Sequence, residues 1–304
     1  MRAALDVLRR RSNNPGGAEC LPRLDRLQGV CDQDPTQPLI GVAGLWSGQK
    51  RQIRAQTKGS FQPYGCAQWF HGARNGLKVA IESDRRERFL SPYRLTLFAD
   101  DLTGLLPAEV FNVLEQVPDF QLTMIELALD FPEGLDRGKV RQHVLFGKTR
   151  PAPSVNGTDY WGTRKGLKLC RCYFKSPIQA FRVEFELRPR FLKYYGVRDV
   201  FGFQKLAGIL PSRHISFGKL NEKKLIDRMN HMALSAKRRQ RVLHTVALMS
   251  SDLWTSLNYL RDDVLLRNTR RLVDPLPINT TIADALRKWA AQWPTAPTRL
   301  GKKK

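Results

Sequence analysis

No stretch of the chain stays apolar long enough to cross a bilayer, which takes about 20 residues as a helix. The opening run MRAALDVLRRRSNNPGG has too short an apolar core for a secretory signal. The expectation is a cytoplasmic protein. Cysteine is sparse: Cys20, Cys31, Cys66, Cys170 and Cys172 are odd in number and scattered, with no Cys-x-x-Cys pair. Nothing in that spacing supports a disulfide framework or a zinc site, so these read as reduced thiols. Histidine is equally thin, and His71, His143, His214, His231 and His244 stand alone, so none is taken as a metal ligand. Acid is in deficit, with 28 Asp and Glu against 51 Lys and Arg.

What the chain has instead is positive charge. A formal +23 and an isoelectric point near 10.3 favour an anionic polymer, and nucleic acid is the commonest such partner of a soluble chain. A ribosomal, heparin-type or membrane-surface partner would use the same charge, but no long basic helix with a broad apolar face stands out as an anchor. The 304 residues, 42% of them hydrophobic, suffice for a real core in one large domain or two ordinary ones. Residues 1–55 read as a basic, largely flexible arm, a short helix followed by a Pro-, Gly-, Asp- and Gln-rich linker. Residues 56–215 read as the main domain, and residues 216–304 as a helical domain with a basic tail.

The main domain is built of short alternating runs. Leu77 to Glu82, Tyr93 to Phe98, Leu122 to Phe131, Leu167 to Lys175 and Phe181 to Arg188 read as strands. Pro107 to Leu114 starts as a helix should, with proline and glutamate in its first turn. The order predicts an α+β fold, an antiparallel sheet with helices on one face, followed by the small C-terminal helical domain.

Side chains alternate across a strand. Val183, Phe185 and Leu187 therefore face away from Arg182, Glu184, Glu186 and Arg188. On the preceding strand, Arg171, Tyr173 and Lys175 share one face, and Cys170, Cys172 and Phe174 form the less polar one. If these two strands pair across the Ser176-Pro177 turn, a phenol, several cations and two carboxylates meet on one surface. That inventory suits a tyrosine attacking a phosphodiester. It also suits an exposed strand face with solvated ion pairs.

Tyr160-Trp161-Gly162-Thr163-Arg164-Lys165, then Arg171-Cys172-Tyr173-Phe174-Lys175, then Arg182-Val183-Glu184 resemble the replication initiation factor family of rolling-circle plasmids and filamentous phages, with its related nicking relaxases. Ile125-Glu126-Leu127-Ala128-Leu129-Asp130 resembles that family's acidic strand. Thr163 and Gly166 stand where serines are expected, Phe174 replaces an acid and Glu126 replaces an aspartate. Many DNA-nicking initiators use a His-hydrophobe-His motif, which is absent here, and in the family resembled carboxylates take over metal binding.

The resemblance implies a nicking domain over residues 56–215, with Tyr173 as nucleophile and Arg171 and Lys175 beside it. Tyr194 and Tyr195, in a helix after Arg190, are the competing tyrosines, and Tyr160 reads as a packing aromatic. The implied cofactor is Mg²⁺ or Mn²⁺, held by acids drawn from Glu126, Asp130, Glu184 and Glu186. Glu126 and Asp130 lie roughly 13 Å apart along one strand, so a shared ion needs an acid from a second segment, with Glu184 favoured. Arg164, Lys165, Lys168 and Arg182 are the expected DNA contacts of the domain, and Lys237, Arg238, Arg239 and Arg241 form a basic edge on the C-terminal helices. The implied partners are plasmid or phage origin DNA and a host helicase and DNA polymerase, with no membrane and with a homodimer allowed. A non-catalytic DNA-binding initiator or repressor is the rival reading.

Overall fold

The computed structural model describes residues 19–294, apart from 41, 43–44, 48–50, 53–62, 73–75, 88–89, 100–103, 133–139, 141, 148, 164–165 and 250–251. The chain forms an α+β fold around one large antiparallel sheet, followed by C-terminal helices. Its strands are β1 (Leu21–Cys31), β2 (Leu45–Ser47), β3 (Arg51–Gln52), β4 (Tyr64–Gly72), β5 (Lys78–Arg85), β6 (Tyr93–Phe98), β7 (Gln121–Phe131), β9 (Pro151–Val155), β10 (Thr158–Gly162), β11 (Lys168–Lys175) and β12 (Ala180–Leu187). Their order is β2-β4-β5-β6-β1-β7-β12-β11-β10-β9, with β3 also against β4. A small second sheet joins β8 (Val144–Leu145), β13 (Ser216–Leu220) and β14 (Val273–Pro275).

The segment expected to be linker supplies a central strand. Leu21–Cys31 lies between β6 and β7, antiparallel to both, so this part of the expected flexible arm is sheet. Leu24, Leu27 and Cys31 are buried, while Arg23 and Arg26 go to the other side. The register shifts between Leu24 and Arg26, a bulge at Asp25 that interrupts strict alternation and hides the strand in the sequence. Gly29 is required by packing, because a Cβ there would sit 2.2 Å from the Phe120 ring. Residues 1–18 lie outside the described residues.

The expected pairing of the last two strands holds. Arg171 lies opposite Glu184 and Tyr173 opposite Arg182. The connection is a short 3-10 turn at Ser176–Ile178, closed by Gln179 in the left-handed region at φ 49°.

Eight helices stand among the described residues: α1 (Thr36–Ile40), α2 (Pro107–Leu114), α3 (Pro189–Tyr194), α4 (Phe203–Ile209), α5 (Glu222–Asn230), α6 (Ala236–Leu248), α7 (Leu253–Asp262) and α8 (Ile278–Ala290). Val110 and Val113 of α2, Phe191 and Leu192 of α3, Phe203 and Leu206 of α4, and Ile282, Leu286 and Trp289 of α8 join one core with Leu27, Leu127 and Phe185 of the sheet. These helices cover the apolar face, because burying a one-sided sheet needs a second layer on that side only. The C-terminal third divides. α8 belongs to the main core, its Trp289 ring stacked 5.7 Å from Phe203, whereas Leu225, Val242 and Leu260 of α5, α6 and α7 form a smaller core of their own. Among the described residues, no helix is long and apolar enough to cross a membrane.

Candidate active site on the charged sheet face

The opposite face of the sheet collects charge from four adjacent strands. β1 contributes Arg23, Asp25 and Arg26; β7, Glu126 and Asp130; β12, Arg182, Glu184 and Glu186; β11, Arg171, Tyr173 and Lys175. Register places them in rows across the strands: Tyr173, Arg182 and Asp130 in one, Arg171, Glu184 and Ala128 in the next, then Glu186, Glu126 and Arg26. Period-two alternation brings these residues to one side; pairing makes them neighbours.

The Tyr173 hydroxyl donates to Glu184 Oε2 at 2.7 Å. Arg171 Nη2 donates both to Glu184 Oε1 and, at 3.0 Å, to Glu126 Oε1, which also takes Arg26. Arg182 grips Asp130 with two prongs, at 2.6 and 2.7 Å, and reaches Asp25 with its third nitrogen. Arg23 Nε stands 2.9 Å from Asp130, and Lys175 Nζ 3.9 Å from Asp25. Glu186 is held by Arg188 at 2.6 and 2.8 Å.

Burial sets the protonation of this network. It pushes the Tyr173 phenol above its usual range, with Arg182 and Arg171 opposing, so the group is a neutral donor toward Glu184. Burial also raises Asp25, against Arg182 and Lys175 and together with Asp130 and Glu126. One Asp25 oxygen, Oδ1, is buried without a hydrogen-bond partner, as is Arg171 Nε. Burial works against charge on Arg182, but its hydrogen bonds to Asp130 and the fields of Asp25 and Asp130 outweigh that and raise its pKa.

The proposed metal ligands Glu126 and Glu184 do converge, and what lies at their meeting point is the Arg171 guanidinium. Asp130 is taken by Arg182 and Arg23, and Glu186 by Arg188. Among the described residues, no three acidic, histidine or cysteine side chains are grouped to hold a metal. As placed, this donor set does not fit Mg²⁺ or Mn²⁺.

Two expected DNA contacts are not at a surface. Arg182 is fully buried, at 0% exposure, because β7 and β11 flank it and acids close around it. Lys168 lies on the apolar side of β11 and is also buried, donating to the Phe146 carbonyl at 3.2 Å and to His214 Nδ1 at 3.1 Å. Burial lowers its pKa. Arg164 and Lys165 lie outside the described residues.

Tyr194 and Tyr195 are not with Tyr173, because α3 packs on the apolar side of the sheet. Tyr194 is exposed. Tyr195 meets His214 Nε2 at 2.7 Å. With the Lys168 ammonium donating to Nδ1, the imidazole carries its proton on Nε2 and presents it to the phenol oxygen. Burial, Lys168 and Arg213 push His214 down to about 4.

The basic edge is at a surface. Ser235 caps α6, its hydroxyl accepting from the Arg238 amide at 3.3 Å, and Val242 and Val246 face the small core. Lys237, Arg238 and Arg241 are left exposed, while Arg239 is tied to Asn230 at 2.8 Å. Elsewhere in this region, Lys224 and Arg228 of α5 and Arg267 and Arg271 line a cleft of about 320 Å³. Sequence reasoning missed that cleft, since its cations come from segments about forty residues apart. It also missed Arg23, Asp25 and Arg26, whose only signal was Leu24 and Leu27 set among charges.

A scan against protein-family models finds no match to this chain, and a search of curated proteins finds no significant match.

Proposed function

We propose that the protein is a cytoplasmic replication initiator of rolling-circle type that nicks one strand of origin DNA through Tyr173. The observation that carries this reading is the Tyr173 hydroxyl seated 2.7 Å from Glu184, with Arg171 on the same carboxylate. A half-buried, neutral phenol needs a base to become a nucleophile, and Glu184 is in place to accept its proton. The phenol oxygen attacks the phosphorus, the bond from phosphorus to the 3′ oxygen breaks, and that oxygen leaves as a 3′-hydroxyl after taking a proton. The product is a 5′-phosphotyrosyl link and a primer end for a host polymerase, with a host helicase opening the duplex. Arg171 and Lys175 lie beside the phenol, where they offset charge developing on the phosphate. Exposed Lys237, Arg238 and Arg241 would hold flanking duplex by its phosphates.

The test is covalent capture. Purified protein incubated with supercoiled origin DNA should give a nicked product linked to protein, lost in Tyr173→Phe and kept in Tyr195→Phe. Loss in Tyr195→Phe alone would move the chemistry to the His214 side of the sheet.

A second reading is favoured by the mutual neutralisation of the charged face, where Asp130 is gripped by Arg182 and Arg23. Such a network can serve to hold four strands together in an initiator or repressor that binds DNA without cutting it. That protein would bind with steep salt dependence and form no adduct under any condition.

A further inference from the structure

The charged face does not end at β1. On its far side the Trp69 and Phe98 rings stack, centroids 5.7 Å apart and planes 28° apart. Trp69 stands on β4 and Phe98 on β6. Ala80, opposite Trp69 on the intervening β5, is small enough to let the rings meet above it. Both rings are partly exposed, whereas Phe70 on the other face of β4 is fully buried. Arg26 lies over Phe98, its guanidinium carbon 5.6 Å from the ring centroid, and ion-pairs with Glu126. One side chain thus connects the aromatic pair to the acid and base cluster. Exposed Lys78 lies opposite Phe98, and exposed His71 opposite Lys78.

Two aromatic rings on a polar, cation-rich face offer flat π surfaces where a core would have closed over them. Nucleobases match this surface in shape, and the phosphates beside them match its charge, in a chain carrying +23 overall. A duplex keeps its base faces stacked internally, so only an unpaired strand can use such rings. We propose that Trp69 and Phe98 form a base-stacking platform for single-stranded DNA, with the strand passing over Arg26 toward Tyr173. This rests on the nucleic-acid half of the reading above and not on the nicking step. From β6 to β11 is four strand spacings, roughly 19 Å at about 4.8 Å each, a span that a few nucleotides cover.

The test is fluorescence anisotropy with a short labelled oligothymidine and with a duplex of the same length. Trp69→Leu and Phe98→Leu should each weaken oligothymidine binding by about tenfold, the loss of one stacked base. The salt dependence should stay unchanged, because no phosphate contact is removed. Trp69→Tyr, which keeps a ring, should retain affinity, and duplex binding should not move. Unchanged oligothymidine affinity in both leucine variants overturns the platform, as does an equal fall in duplex affinity. A wild-type protein that binds neither oligonucleotide overturns the nucleic-acid reading itself.

Discussion

Arg182 and Asp130 face each other in register on β12 and β7 and form a two-pronged ion pair, with Arg182 at 0% and Asp130 at 1% exposure. A guanidinium is the one cation that can satisfy both carboxylate oxygens while reaching Asp25 with a third nitrogen. The pair joins residues 52 positions apart at the centre of the sheet.

Removing one partner leaves the other charge buried and unmatched. Asp130→Asn should lower the unfolding free energy by about 3 kcal/mol. Urea denaturation checks this, and a change below roughly 1 kcal/mol, the level of a surface pair, would mean that water reaches the site.

Glu184→Gln keeps the shape of the site and removes the base. If Tyr173 attacks DNA, the rate of adduct formation should fall by about 100-fold or more, while DNA affinity stays level or rises as a negative charge is lost. Quench-flow on a labelled origin strand reads the rate and anisotropy reads the affinity. An unimpaired rate removes Glu184 from the chemistry.

His214 makes stability depend on pH. Its folded pKa is depressed to about 4, chiefly by burial, with Lys168 and Arg213 adding to it, below the value near 6.5 of an unfolded histidine. Between those values the unfolded chain binds the extra proton, so stability is complete above about 6.5 and declines as pH falls toward about 4. In His214→Gln this component should vanish. Thermal melts from pH 7 to pH 4 on both proteins measure it, and parallel curves would contradict the assignment.

On the proposed reading, the exposed cations of the α6 edge meet DNA phosphates. Replacing Lys237, Arg238 and Arg241 together by alanine should weaken binding to all duplex sequences alike. The slope of log affinity against log salt should become shallower by roughly 2 to 3, since each phosphate contact contributes about 0.9. A sequence-dependent loss would point to base contacts instead.

Much of the site was legible because a strand has a period of two. Tyr173, Arg171, Lys175, Arg182 and Glu184 were expected on one face, and pairing of β11 with β12 puts them there. The same parity places Lys168 with Cys170 and Cys172 on the apolar side, so its burial was readable and its expected DNA role conflicts with the pattern. The central strand β1 was not legible. Its bulge at Asp25 breaks the alternation, and its proline, aspartate and glutamine read as linker. Arg182 sat on the expected face, yet its burial depends on Asp25, 157 positions away in sequence, and no local pattern carries that.

By itself, the sequence determined the antiparallel α+β class, the strong positive charge and the two faces of the last two strands, because composition and side-chain alternation are local properties. Only the tertiary structure decided which charges are spent on one another. Ion pairing among Arg23, Asp25, Glu126, Asp130, Arg171, Arg182 and Glu184 depends on the order β1-β7-β12-β11, and strand order is set by how the whole sheet buries its apolar side.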